Sequence, residues 1–342
     1  MTSKRRTPAL VAALAVLALA LGLAACGEKS EDGKGSERRP FSLTLDFYPN
    51  PDHAGIYLGE KLGYFEEAGL DLSVDTPADP SAPMKLVAAG RTDVAISYEP
   101  EVVLARDRGL DVVAIAALVD RPLTSMIWLR KSGIKGVAGL RGKTIATAGI
   151  PYQDAFLKTI LARAGMKPTD VRTVNVGFSL LPALVGGSAQ AMLGGFRNVE
   201  GVDLRLRGKA PVVKPVDELG VPTYAELVLV ANRARLEADP EPYRLFLAAL
   251  ARGTRAAVER PGAATKAVLE ANRDLEPRLT AAEVKATLPF LAGRDPDGPY
   301  GRLSPEEWRD FAAWMRDNGL VEELIEPAKL ITNDYLPGPV PE

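Results

Sequence analysis

Apolar positions recur along this chain in two rhythms. SLTLDF (42–47) alternates apolar and polar residues, the period of a strand with one buried face. AGIYLGEKLGYFEEAG (54–69) spaces its apolar residues as a helix does and stops on Gly69. LDLSVDT (70–76) returns to alternation, APMKLVAAG (82–90) is a short helix ending on Gly90, and DVAIS (93–97) is a strand. Pro100 then suits a first helical turn. DVVAIAALV (111–119) and TSMIWLR (124–130) are further apolar runs. The alternation predicts α/β units with mainly parallel strands.

A second set begins near Lys131. KTIATAG (143–149), VRTVNV (171–176), QAMLGG (190–195) and APVVKP (210–215) read as strands. YQDAFLKTILARAG (152–165), SLLPALVGG (179–187) and NVEGVDLRLRG (198–208) read as helices between them. TYAELVLVAN (223–232) reads as a strand returning to the first set. Beyond Asp239 four helical stretches follow, with start signals at Asp239-Pro240, Pro261-Gly262, Thr280 and Ser304. The pattern predicts two α/β lobes, one of residues 41–130 with 223–342 and one of 131–222. Crossings near Lys131 and Pro222 form a hinge. Open α/β sheets bind ligands at the carboxyl ends of their strands, and a cleft between lobes is a preferred site.

The N-terminal residues concern location. Lys4, Arg5 and Arg6 precede the apolar run ALVAALAVLALALGLA, and LAAC ends at Cys26. This is the layout of an export signal, and the small residues before the cysteine resemble a lipoprotein cleavage site. Residues 1–25 are expected to be removed and Cys26 to be lipidated, with 26–40 as a flexible polar tether. Cys26 is the only cysteine and His53 the only histidine. No disulfide, thiolate site or usual transition-metal shell can then be built, and no metal or cofactor is expected. The net charge of −2 gives no reason to expect a nucleic-acid partner.

Four strand ends carry the candidate chemistry. The first supplies Asp46, Phe47 and Tyr48, then Asn50 and His53; the third supplies Ser97, Tyr98 and Glu99. In the second lobe Gly149, Ile150 and Pro151 end one strand, before Tyr152 and Asp154, and Gly195 and Phe196 end another, before Asn198 and Glu200. Each residue also has a bland reading. A lone aromatic is more often core, Ser97 and Asn198 are common helix caps, and Glu200 suits a helix dipole. Together they offer aromatic faces, carboxylates and amides. That mix suits a flat, uncharged or weakly basic heterocycle with amino groups. An anion would call for arginine or free helix N-terminal amides, and Arg91 and Arg197 keep that alternative open.

DFYPNPDHAGIYLGEKLGYFEEAGLDL, VAAGRTDVAISYEP and GGFRNVEGVDL resemble the NMT1/THI5-like group. The similarity is to its bacterial, ThiY-type branch of ABC-transporter binding proteins for thiamine-pyrimidine precursors, over about residues 41–232. It implies a type II periplasmic-binding-protein fold whose two lobes close on one ligand. It also implies a monomer that hands the ligand to permease subunits driven by a cytoplasmic ATPase, at the outer face of the membrane. By the same resemblance Asp46 to Asn50, His53 and Ser97 to Glu99 line the cleft, His53 sits at its rim, and Glu200 holds the amino edge of a pyrimidine. Relatives often have tyrosine-tryptophan where this chain has Phe196-Arg197. Riboflavin and anions such as nitrate or sulfonates therefore remain alternatives. The yeast members of the group synthesise the pyrimidine and carry a cysteine-rich iron-binding stretch, which this chain lacks.

Overall fold

A computed structural model describes residues 38–79, 81–294 and 298–338. The export signal, Cys26 and most of the tether lie outside the described residues. Among those residues ten strands occur in chain order: β1 (Arg39–Thr44), β2 (Leu70–Asp75), β3 (Val94–Ser97), β4 (Val112–Val119), β5 (Thr124–Leu129), β6 (Thr144–Thr147), β7 (Arg172–Asn175), β8 (Ala191–Phe196), β9 (Pro211–Pro215) and β10 (Leu227–Asn232). They form two five-stranded sheets with the orders β2-β1-β3-β10-β4 and β7-β6-β8-β5-β9. In each sheet four strands run in one direction, and one later or earlier strand inserts antiparallel to them: β10 between β3 and β4, β5 between β8 and β9.

The chain crosses between the sheets twice, at 120–123 and at 216–226. The second crossing brackets the expected one near Pro222. The first lies before the expected crossing near Lys131, because Thr124–Leu129 joins the second sheet and not the first. All six residues of β5 are buried. A strand covered on both faces carries no alternation, so its sequence does not say which sheet it belongs to. The first sheet also begins earlier than the expected tether boundary, at Arg39.

The four long C-terminal helices are present: Glu241–Glu259, Pro261–Ala271, Pro277–Leu291 and Pro305–Asp317. Ser304 caps the last, its side chain accepting from Glu307 N–H. The third starts before Thr280. Glu276 is its N-cap, accepting from the N–H groups of Arg278 and Leu279, and Thr280 bonds back to the Glu276 carbonyl. Helix Glu241–Glu259 lies close against helix Ala54–Lys61 through glycines. A Cβ on Gly253 would stand 2.3 Å from the Gly55 carbonyl oxygen and 2.9 Å from Gly59 Cα. The tail also touches the second lobe. Phe156 of helix Gln153–Arg163 packs on Tyr224, Phe311 and Trp314 at ring-centroid distances of 5.4, 6.4 and 5.7 Å. One core of buried apolar residues thus runs from the first sheet through the C-terminal helices into the second lobe.

Candidate functional site

A cleft open to solvent lies between the two sheets. Of the sequence candidates, Asp46, Phe47, Asn50, Tyr98, Phe196 and Glu200 line it. They come from the ends of β1, β3 and β8, where parallel strands point their carboxyl ends at the same space.

Asp46 is 3% exposed and holds two donors from different elements. His53 Nε2 donates to Oδ1 at 2.9 Å, and Tyr98 O–H donates to Oδ2 at 2.9 Å. His53 is fully buried behind Asp46 and does not line the cleft. Its Nδ1 accepts Asn50 N–H at 3.3 Å, so the ring proton sits on Nε2 and faces the carboxylate. The expected rim position is corrected accordingly. The Pro-Asn-Pro-Asp turn folds the imidazole inward as part of a capping box with Asn50. Asn50 is itself fixed, accepting from Asp52 N–H and donating to the Tyr48 carbonyl.

Glu200 opens the short helix Glu200–Leu206 and accepts Phe196 N–H at 2.7 Å on Oε2. A carboxylate has further lone pairs for the cleft. Burial pushes its carboxyl above the usual range, against the lowering effect of the backbone donors. Its cap-like role and its place in the cleft therefore coexist. Beside it, Gln153 takes Ala148 N–H on Oε1 at 3.0 Å, which leaves its amide donors for other use.

The remaining candidates lie elsewhere. Ser97 is buried and donates to Glu101 Oε2 at 2.7 Å. Glu99 is buried away from the cleft and accepts Ala225 N–H. Its Oε1 has no partner, and burial holds its carboxyl well above the usual range. Gly149 is a turn residue at φ +75°, where a Cβ would collide with the Asn175 amide. Pro151 is exposed, while its neighbours Ile150 and Tyr152 face the cleft. Asn198 is buried and ties the lobes together, donating to Asp52 Oδ1 at 2.7 Å and to Thr287 Oγ1 at 2.8 Å. Burial first, then the nearby Asp46 charge, hold the Asp52 carboxyl well above the usual range.

Sequence reasoning did not name several lining residues, chiefly Thr124, Gln153 and Phe178. Phe178 follows β7, and the strand-end rule applied to that strand would have found it. It meets Phe47 edge-on at 4.3 Å and Tyr48 at 4.9 Å, so an aromatic contact joins the two lobes at the cleft. Thr124 starts an antiparallel strand, whose amino end reaches the cleft, so the rule for parallel strands passes over it.

Among the described residues no Arg, Lys or His lines the cleft. Arg197 turns away, its guanidinium 5.5 Å from the centroid of Phe290. Among the described residues no cluster of three metal-ligating side chains occurs.

The family model described as NMT1/THI5 like matches residues 50–264. The chain belongs to the NMT1/THI5-like family. A formylaminopyrimidine-binding protein of Halalkalibacterium halodurans is 34% identical over 83% of this chain and 86% of its own. A Haemophilus influenzae protein named for thiamine biosynthesis is also 34% identical, over 84% and 90%. The yeast THI5 pyrimidine phosphate synthase is more distant, 26% identical over 88% and 89%. Among solved structures, the periplasmic sulfonate-binding protein SsuA of Escherichia coli superposes with a TM-score of 0.67 at 16% identity, covering 87% of this chain and 99% of that one. The fold is that of type II periplasmic binding proteins, as the NMT1/THI5-like motifs implied.

Proposed function

We propose that this family member is the extracytoplasmic solute-binding component of an ABC importer and captures an aminopyrimidine thiamine precursor of the hydroxymethylpyrimidine or formylaminopyrimidine type. The observation that carries the reading is the polarity of the cleft. Asp46 and Glu200 are acceptors whose protein partners are already fixed. Gln153 supplies amide donors, aromatic rings flank the space, and no cation lines it among the described residues. A 4-aminopyrimidine presents an exocyclic N–H group beside a ring-nitrogen lone pair, and its flat face stacks on aromatics. A nitrate or sulfonate would meet two carboxylates with no compensating positive side chain. Both relatives at 34% identity bear names that fit the reading.

In this reading the chain is not an enzyme. It closes its lobes on the ligand and passes it to permease subunits with a cytoplasmic ATPase. It works as a monomer, held to the outer face of the membrane by a lipid on Cys26. The test is thermal denaturation of the purified protein with each precursor and with riboflavin, nitrate, taurine and an alkanesulfonate. Ligand at one hundred times its dissociation constant should stabilise the fold by ~2.7 kcal/mol. A shift with an aminopyrimidine supports the reading, and a shift with the anions alone refutes it.

A further inference from the structure

The two crossings between the lobes meet at one buried carboxylate. Glu226 is 0% exposed and lies in the second crossing. Its Oε2 accepts the N–H groups of Leu123 and Thr124, both at 2.7 Å, and Tyr224 O–H at 3.0 Å. Its Oε1 accepts Thr124 O–H at 2.8 Å. Thr124 itself is 2% exposed and lines the cleft, paired across the sheet with Phe196, which lies four residues before Glu200. A hydroxyl has one hydrogen to give. With that hydrogen committed to Glu226, Thr124 Oγ1 has only lone pairs for any other partner.

We propose that Thr124 is a specificity-determining residue of the cleft and Glu226 its positioning residue: by taking the single hydroxyl hydrogen of Thr124, Glu226 makes it an obligate acceptor that selects a ligand bringing an N–H group to this side. The inference rests on the reading of the cleft as a site for an amino-substituted heterocycle. It adds a second way of reading the ligand's donors, from the hinge side, to the carboxylates already described. It also explains why a charged group is kept in a place where an apolar residue would fill the hinge at less desolvation cost. Buried polar networks of this kind fix orientation because every member is committed.

The experiment is calorimetric titration of the full chain at pH 8, above the value of about 7 to which burial pushes Glu226. Two probes are used, 4-amino-5-hydroxymethyl-2-methylpyrimidine and its 4-oxo counterpart, in which a carbonyl replaces the amino group. The native chain should prefer the amino probe. Thr124→Ser, which keeps the hydroxyl, should leave that preference within about twofold. Thr124→Val keeps the shape and removes the acceptor, and should weaken the amino probe roughly tenfold while shrinking the preference. In Glu226→Gln an amide N–H can donate to Thr124, freeing the hydroxyl hydrogen for the cleft. The preference should shrink there too, and the double variant should lose little beyond either single change. A merely structural Glu226 would weaken both probes equally, and that result overturns the proposal. So does an unchanged preference in Thr124→Val, which also decides the matter should Glu226→Gln fail to fold. If the native chain binds the amino probe and Thr124→Val keeps the preference, the cleft reading stands and this proposal alone falls. If the native chain binds neither probe, the proposal falls, and the cleft reading falls with it when formylaminopyrimidine also fails to bind.

Discussion

At Asp46 the side chains of two elements meet on one carboxylate. Tyr98 arrives from the end of β3 and His53 from the turn after β1. His53 acts on the cleft through Asp46 and through Asn50, whose N–H it accepts. Removing it leaves Asp46 Oδ1 and Asn50 N–H without their partners in a buried place. His53→Ala should therefore lower the ligand-free melting point, at a cost of about 1–3 kcal/mol, and should lower affinity as well. Denaturation and titration of the same preparation check this. An affinity loss with an unchanged melting point would mean direct contact with the ligand. Glu200→Gln should weaken aminopyrimidine binding by at least ~1.5 kcal/mol, as loss of a hydrogen bond to a charged group does. Unchanged affinity in calorimetry would assign Glu200 to the helix end alone. The aromatic and acidic types at β1 and β8 were readable from the strand-end rule. The inward turn of His53 was not, because a single histidine after Pro-Asn-Pro-Asp carries no sign of which way its ring folds.

Elements were legible wherever one face is wet. The alternation of SLTLDF and the helical spacing of residues 54–69 correspond to β1 with the turn after it and to helix Ala54–Lys61 with the short helix Tyr64–Glu67. Legibility failed for β5, which is buried on both faces, and for the start of helix Pro277–Leu291. There a Glu-Pro cap stands where Thr280 looked like the signal. Packing between elements adds constraints that periodicity cannot express. The close approach of helices Ala54–Lys61 and Glu241–Glu259 depends on Gly253 facing the Gly55 carbonyl. Gly253→Ala should destabilise the chain by about 1–3 kcal/mol, since the obstacle is backbone and cannot swing aside. Urea denaturation measures it, and an unchanged midpoint would contradict the contact. Phe178→Ala removes the aromatic contact between the lobes at the cleft. It should weaken ligand binding about 2- to 10-fold, with little change in the ligand-free melting point, because the contact is edge-on and partly exposed.

For the whole molecule, burial of acids between the lobes sets an unusual pH response. Burial pushes Glu226 up to about 7 and Glu283 up to about 9, from an ordinary 4.5. Glu200 and Asp203 beside Glu283 add to its shift. Each acid binds its proton more tightly in the folded chain than in the unfolded one. Its contribution to stability is complete below about pH 4.5 and declines as pH rises through these values. Melting points should therefore fall between pH 5 and pH 9, and Glu283→Gln should flatten the upper part of that decline. A rising curve, or one the variant leaves unchanged, would contradict it. The two-lobe plan itself was readable from the order of strands and helices. The first crossing was not, since it depends on where a fully buried strand finds its partners.

The central claim is that the cleft is built for an uncharged or weakly basic amino-heterocycle. The most direct measurement is calorimetric titration of the purified protein with formylaminopyrimidine and, separately, with nitrate and an alkanesulfonate. The account predicts saturable one-to-one binding of the aminopyrimidine and none of the anions, with the aminopyrimidine binding weakened in Glu200→Gln. Saturable binding of an anion together with no aminopyrimidine binding would contradict it.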